Sequence, residues 1–255
     1  MQTDKEIVKK RFGNKLSTYH HEAQVQKQIA FKLASLFFET HDDSINRVLE
    51  IGCGTGFLTK QILTKGSINE LFLNDIADSA FEETQKVLTK LNFKNYQFLT
   101  GDAEHIAFPT NIDVVFSSSC FHWFNDLQCF FRNMHEILNS NGYFVFSSYG
   151  EENFKEIKET LNIGLTYSSL QEQIDLLSPD FEIIHGEEWT EVIPFANPKE
   201  VLKHIKQTGV NALQKGFFGK ERLQTFNDKY LSHFSNVDGS VNLTYHPLII
   251  IARKK

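Results

Sequence analysis

The chain of 255 residues is long enough for one α/β domain with an insertion, and its 41% hydrophobic and 23% charged residues are typical of a globular protein. A net charge of −6 argues against nucleic acid as a general partner, and the apolar runs are too short for a membrane span. The polar N-terminus predicts no secretory signal. Three cysteines without a CxxC pair favour a reducing, cytoplasmic setting and no metal site.

Residues 1–40 have a helical pattern and precede the first strand, so we expect a helical cover there. From residue 46 to residue 150, short β-rich runs alternate with helical segments of ten to fourteen residues. This alternation indicates βαβ units and a mostly parallel sheet. The predicted strands are RVLEIG, NELFLND, NYQFLTGD, IDVVFSSS and GYFVFSSY, the last of them preceded by an Asn141-Gly142 turn.

The pattern changes after Gly150. Two helical stretches, the second closed by Pro179, precede one long predicted strand, FEIIHGEEWTEVIPF. Two more helices follow near 198–208 and 219–235, and the chain ends in the strand SVNLTYHPLIIIARKK, where Pro247 suggests an edge or a bulge. We therefore predict a single domain, 1–255, with a cofactor-binding core over 46–150 and a small helical lid over 190–240.

The stretch VLEIGCGTGFL places a glycine loop directly after the first strand. Glycines at this point let the backbone approach a ligand closely and open the next helix. A dinucleotide site requires a third glycine at position 57, which is Phe57 here. The loop is instead G-x-G-x-G with Glu50 two residues ahead of it. A ligand with a cationic, amino-acid-like part and no pyrophosphate fits this arrangement better.

This loop resembles motif I of the class I S-adenosylmethionine-dependent methyltransferases. Three further positions agree with that family: acids at the ends of the second and third strands, and a serine pair at the end of the fourth. The resemblance implies a Rossmann-like α/β fold with a seven-stranded, mostly parallel sheet, helices on both faces and the lid inserted before the last strand. It also implies S-adenosylmethionine as cofactor and S-adenosylhomocysteine as product. The implied cofactor-binding residues are Glu50, Gly52, Cys53, Gly54, Gly56, Asp75, Ile76, Asp102, Ala103, Ser118 and Ser119.

The flanks of the chain resemble a narrower family, the malonyl-acyl-carrier-protein O-methyltransferases of biotin synthesis. Four stretches carry this resemblance in order: RFGNKLSTYHHEAQVQKQIA, SSSCFHWFND, LKHIKQTGVNA and LTYHPLIIIARKK. HIKQTGVNA is the most particular of them. One departure is His122 before Trp123, where many relatives have glutamine. The implied reaction is the methylation of the free carboxylate of a malonyl thioester on an acyl carrier protein.

A malonyl carboxylate is already ionised at neutral pH, so this transfer requires no general base. We expect a dry, aromatic-walled pocket that holds the reacting atoms in line, and the 24 phenylalanines suit such a wall. The residues expected to position the acceptor are Tyr19, His122, Trp123 and Lys206, while Thr208, Gly209 and Asn211 break the lid helix near the substrate.

Two segments are basic although the chain is acidic. Residues 1–20 contain five Lys or Arg against two acids, and residues 199–222 contain six against two. Acyl carrier proteins are acidic, so these segments suggest a docking patch. The residues proposed for that patch are Lys9, Lys10, Arg11, Lys215, Lys220 and Arg222.

Three alternatives remain open on the sequence alone. A methyltransferase acting on a quinone or another small acid would share the cofactor motifs and would not require the lid motif. A catalytically idle cofactor-binding or scaffold protein is less compatible with the complete set of Glu50, the glycines, Asp75 and Asp102. A dehydrogenase is the most distant, because Phe57 replaces the third glycine.

Overall fold

The protein is described by a computed structural model that covers residues 3–13, 22–41, 43–208 and 219–255. Nine strands lie within these ranges, seven of them in a central sheet and two in a small separate one. In chain order they are β1 (Ile45–Ile51), β2 (Ile68–Asp75), β3 (Tyr96–Thr100), β4 (Ile112–Ser118), β5 (Leu138–Tyr149), β6 (Phe181–Glu188), β7 (Glu191–Phe195), β8 (Val241–Tyr245) and β9 (Pro247–Lys254).

Helices of the described ranges precede the sheet, connect its strands and fill the region before β8. They are α1 (Lys5–Gly13), α2 (Gln24–Phe38), α3 (Phe57–Lys65), α4 (Ser79–Lys90), α5 (Leu127–Ile137), α6 (Lys155–Leu161), α7 (Leu170–Leu177), α8 (Pro198–Gln207) and α9 (Lys220–Phe234). A single 3₁₀ turn, Phe121–Trp123, follows β4. None of the described helices is long and apolar enough to cross a membrane.

The central sheet has the order β3-β2-β1-β4-β5-β9-β6. Neighbours from β3 to β5 run parallel, and only β9 runs antiparallel to the strands on either side of it. Strand β1 is buried from Val48 to Ile51, as a strand covered on both faces must be. One apolar cluster joins α2 and α3 to one face, and a second joins α5 and α7 to the other. The predicted Rossmann-like, mostly parallel seven-stranded sheet is confirmed.

Each of the two long strands predicted near the C-terminus is divided into two strands in the structure. FEIIHGEEWTEVIPF is broken at Trp189 into β6 and β7, and β7 leaves the central sheet to pair with β8. The final stretch is broken at His246, and Pro247 is the first residue of β9, paired with Tyr149 inside the sheet. The edge position suggested for Pro247 is therefore wrong. A proline is tolerated there because a strand begins at that residue.

The region predicted as a helical lid also contains a sheet. Helices α8 and α9 pack on β7 and β8 through a separate apolar cluster that includes Val201, Phe226 and Leu243. The same cluster contains Tyr149 at the end of β5, so this region covers the carboxyl end of the central sheet on that side. The buried carboxylate of Glu156 connects α6 to this region. It accepts hydrogen bonds from the backbone N–H and the hydroxyl of Thr244 on β8, at 3.0 and 2.5 Å.

Glu156 should therefore be a stability determinant of this region. Glu156→Ala leaves two buried donors of Thr244 without an acceptor, and we expect it to lower the free energy of unfolding by about 2–3 kcal/mol in urea titrations. Glu159→Ala, on the exposed side of the same helix, is the control and should change it by less than about 0.5 kcal/mol. Equal effects of the two substitutions would contradict this assignment.

Candidate active site

A solvent-open cavity lies at the carboxyl ends of β1, β2 and β4, and together with the solvent space at its mouth it measures about 750 Å³. Parallel sheets bind ligands at this edge, where the strand order reverses beside β1. Its lining residues come from the glycine loop, from the strand ends, from the 3₁₀ turn and from α1. They are Lys5, Val8, Phe12, Gly52, Gly54, Asn74, Asp75, Ile76, Gly101, Asp102, Ala103, Ser118, Ser119, Cys120, Trp123 and Phe124.

The glycine loop requires glycine for two different reasons. Gly52 has φ +71°, and a Cβ there would lie 2.6 Å from the Sγ of Cys120. Gly56, at the start of α3, has φ +76° and would bring a Cβ within 3.0 Å of Val87. At Gly54, with φ +50°, a Cβ would meet only the carbonyl oxygen of Gly52 at 4.0 Å. The space at Gly54 is thus left to the cavity and whatever binds in it.

Glu50 lies behind this loop and does not line the cavity. Its side chain is 1% exposed and accepts a 2.6 Å hydrogen bond from the hydroxyl of Thr59 on α3. Burial raises the pKa of its carboxyl from 4.5 to about 8, against the opposing effect of the hydrogen bond from Thr59. The predicted proximity of Glu50 to a ligand is therefore indirect, through α3 and the loop.

Asp75 fixes the loop from the end of β2. Its two carboxylate oxygens accept hydrogen bonds from the backbone N–H groups of Gly54, at 2.9 Å, and of Ala77, at 2.8 Å. Burial raises its pKa despite these bonds.

Cys53, between the two cavity glycines, points instead into the core. Its N–H donates to the carbonyl of Asn74 at 2.9 Å.

Asp102 and Ala103 border the far end of the cavity, where α1 closes over it. The ammonium of Lys5 lies 3.4 Å from the carboxylate of Asp102 and 2.6 Å from that of Glu104. The same ammonium lies over the ring of Phe124, 4.4 Å from its centre. Sequence reasoning predicted a helical cover but did not single out Lys5, Val8 or Phe12, although apolar residues four apart in that segment were the available signal.

Ser118 and Ser119 border the cavity beside β5. The hydroxyl of Ser118 hydrogen bonds with that of Ser147 at 3.0 Å, and Ser119 has φ +53°, which turns the chain at the end of β4. The hydroxyl of Tyr149 donates to that of Ser119 at 3.2 Å. Burial raises the pKa of Tyr149 to about 12, so the phenol keeps its proton at neutral pH.

The residues predicted to position an acceptor are placed differently from one another. Trp123 lines the cavity and meets Phe12 edge-on at 5.7 Å. His122 faces away from it, among the rings of Tyr149 and Tyr167, and burial lowers its pKa to about 3. Lys206 is exposed on α8. Tyr19, Gly209 and Asn211 lie outside the described residues.

A buried polar group that the sequence reasoning missed lies next to Ser119. Gln26, on α2, is buried, and its side chain lowers the pKa values of Tyr149 and Tyr245 against the raising effect of burial. Its Oε1 has no hydrogen-bond partner within the described part of the chain. His204 Nε2 contacts the hydroxyl of Tyr245 at 2.7 Å. No local motif signals this group, because it joins α2, β5, α8 and β8.

The cavity suits a nucleoside with an amino-acid-like arm better than it suits a metal ion. Gly54 leaves room beside Asp75, whose raised pKa would fall beside a cationic ligand. The carboxylate of Asp102 and the backbone at Ala103 supply further polar groups just after the end of β3. The described residues contain no group of three His, Cys, Asp or Glu side chains arranged to hold a metal.

Comparison with known proteins agrees with this geometry. Residues 42–209 match a family model described as a methyltransferase domain. The malonyl-[acyl-carrier protein] O-methyltransferase of Bacteroides thetaiotaomicron is 39% identical over 261 residues, which are 99% of this chain and 99% of that protein. Its namesake from Bacteroides fragilis is also 39% identical over 99% of this chain, but this chain spans about half, 51%, of its length.

A solved structure extends the likeness to the fold. The N-methyltransferase NodS of Bradyrhizobium japonicum, solved in complex with S-adenosyl-L-homocysteine, superposes with a TM-score of 0.56 at 12% identity, covering 93% of this chain and 98% of NodS. The sheet order, the glycine loop and the matched domain together define a class I methyltransferase. Within that class, the chain belongs to the malonyl-[acyl-carrier protein] O-methyltransferase family.

Glu50 should make the stability of the protein depend on pH. Its raised pKa means that, between pH 4.5 and about 8, the folded protein holds a proton that the unfolded chain releases. This stabilisation is complete below pH 4.5 and is lost as the pH rises through 8, at up to about 1.4 kcal/mol per pH unit. Glu50→Gln, which still accepts from Thr59, should show a flatter decline between pH 5 and pH 8 in urea titrations.

Asp75 also has a raised pKa, but it is present in both proteins, so the difference between their pH profiles isolates Glu50. Parallel profiles for the wild type and Glu50→Gln would show that the Glu50 carboxyl is ionised in the folded protein.

Proposed function

We propose that the protein transfers a methyl group from S-adenosylmethionine to the free carboxylate of a malonyl thioester on an acyl carrier protein, releasing the methyl ester and S-adenosylhomocysteine, as an early step of biotin synthesis. The observation that carries the proposal is the near full-length likeness to a relative named for this reaction. The reaction would take place in the cytoplasm, where the free thiols of Cys53, Cys120 and Cys129 stay reduced.

The cavity at the carboxyl ends of β1, β2 and β4 is the proposed donor site, called the donor cavity below. When bound there, S-adenosylmethionine supplies a methyl group on a positively charged sulfur. The carboxylate of Asp75, the space at Gly54 and the polar end at Asp102 and Ala103 support this assignment. Helix α1 covers the cavity with Val8 and Phe12, which excludes water from the bound donor.

The proposed acceptor side lies where Ser119 and Trp123 border the cavity. The carboxylate is anionic and the donor cationic, so both charges disappear as the neutral ester forms. Excluding water therefore favours the reaction, and the rings of Phe12, Trp123 and Phe124 supply an apolar wall. The hydroxyl of Ser119, which accepts from that of Tyr149, can orient a carboxylate oxygen by donating a hydrogen bond to it, and no side chain needs to remove a proton.

The carrier protein is proposed to approach over exposed basic residues. Lys10 on α1, Lys206 on α8 and Lys220 on α9 are exposed, whereas Lys9 pairs with Asp78 at 3.3 Å. Lys215 lies outside the described residues. Exposed cations of this kind attract an acidic partner mainly through faster association at low salt.

Gly54 offers a direct test of the donor site. We expect Gly54→Ala to place a methyl group in the cavity and to weaken S-adenosylhomocysteine binding, measured by calorimetry, by at least about tenfold. Gly239→Ala is the matched control, since Gly239 also has a positive φ, +84°, with no atom within 4 Å of the added Cβ. Both substitutions should cost about 1–2 kcal/mol of stability, but only the first should affect binding. Equal affinities of the two variants for S-adenosylhomocysteine would show that the donor does not bind in this cavity.

The acceptor is tested by offering the protein a choice. Purified protein is incubated with S-adenosylmethionine and, separately, malonyl-acyl carrier protein, malonyl-CoA, free malonate and a quinol. Mass spectrometry should show a methyl group added to the malonyl thioesters. Transfer to the quinol or to malonate alone would favour a methyltransferase of another small acid or quinone. No transfer to any malonyl thioester would refute the proposed function.

A further inference from the structure

A second cavity adjoins the proposed donor cavity, and together with the solvent space at its mouth it measures about 800 Å³. It is bounded by the 3₁₀ turn, the start of α5, the segment before α7 and α7 itself. The two cavities share Phe124, and Tyr149 of the second donates its hydroxyl hydrogen to Ser119 of the first at 3.2 Å. The second cavity therefore opens on the place proposed for the acceptor carboxylate.

Two residues that line this cavity each carry a buried acceptor atom without a partner. Gln173, on α7, is 2% exposed, and its amide nitrogen donates to the carbonyl of Ser168 at 3.2 Å. Its Oε1 is buried, and so is Nδ1 of His122, and neither has a hydrogen-bond partner among the residues that the structure describes. A buried unsatisfied polar atom costs about 1–3 kcal/mol, so two of them beside one cavity indicate a missing ligand.

The chemistry of these atoms selects the kind of ligand. The amide oxygen of Gln173 can only accept, and burial lowers the pKa of His122 to about 3, so its neutral ring can accept at one nitrogen. Asp126, at the rim, adds a carboxylate that caps α5 by accepting from the N–H of Cys129 at 2.9 Å. An anionic group would meet acceptors here and be repelled. A neutral chain with N–H groups would be bound.

We propose that the second cavity binds the amide-bearing arm through which the acceptor carries its thioester, with Gln173 Oε1 and His122 Nδ1 accepting hydrogen bonds from secondary amides of that arm. The inference rests on the proposed function, since it concerns the arm of the same acceptor. The arm runs along α7 and the 3₁₀ turn and delivers the malonyl end to Ser119 and Tyr149.

The test compares two small acceptors that differ only in the arm. Malonyl-pantetheine carries two secondary amides, and malonyl ethyl thioester carries none. The readout is kcat/KM for each acceptor, by mass spectrometry of the methyl ester. We expect Gln173→Leu to lower the ratio of kcat/KM for malonyl-pantetheine to kcat/KM for malonyl ethyl thioester about tenfold. Gln171→Leu, exposed on the same helix and bonded to Asp175, is the matched control and should leave it unchanged.

His122 gives a second, independent variant. His122→Phe removes the acceptor atom and should also lower the ratio, whereas His122→Gln keeps an acceptor and should restore it. Both kcat/KM values of a ratio are measured on the same variant, so a smaller fraction of folded protein lowers both equally and does not change the ratio. The melting temperature of every variant is recorded beside it.

The outcomes separate the two proposals. A wild type that methylates both thioesters with equal kcat/KM, or variants that reduce both equally, would overturn the arm site and leave the proposed function standing. A wild type that methylates malonyl-acyl carrier protein but neither small thioester would overturn the arm site alone. A wild type that methylates none of the three would refute the proposed function and the arm site together. A ratio that falls in Gln173→Leu and His122→Phe but not in Gln171→Leu would support the arm site.

Discussion

The hydrogen bond from the backbone N–H of Gly54 to the carboxylate of Asp75 joins the loop after β1 to the end of β2. The rest of the site depends on this contact, because it holds the loop in the left-handed backbone conformation that Gly52 and Gly56 provide. The close approach of Gly52 to Cys120 then brings the end of β4 against the same loop. The ends of three strands thus meet at this loop, and the carboxylate of Asp75 also faces the cavity.

The two sides of the site differ in their electrostatics. On the proposed donor side, burial raises the pKa values of the carboxyl groups of Glu50 and Asp75, and a cationic ligand beside Asp75 would lower its pKa again. On the proposed acceptor side, burial keeps Tyr149 protonated and His122 neutral, so that side presents hydroxyls and rings but little charge. This asymmetry suits the proposed reaction, in which a cation and an anion combine to neutral products in a site from which water is excluded.

In the region between β6 and β9, the sequence pattern did not predict where the strands end or which strands pair. Trp189 and His246 each interrupt a stretch that is β-like on both sides, and the alternation of apolar residues continues across the break. Such a pattern reports that a residue is extended and half buried, but not which sheet it joins. The pairing of β7 with β8 is a long-range contact, 46 residues apart between Phe195 and Val241, and only packing selects it.

The lining of the proposed donor cavity could be predicted because its residues follow local rules: glycines after a strand, and acids where the next strands end. The sequence alone determined the order of strands and helices through β5, the loop, the positions of Asp75 and Asp102, and the family resemblance. Tertiary structure decided which side chains surround Tyr149 on the proposed acceptor side. Gln26, Gln173 and Tyr245 come from three other elements and approach Tyr149 because these elements pack together, which no spacing along the chain records.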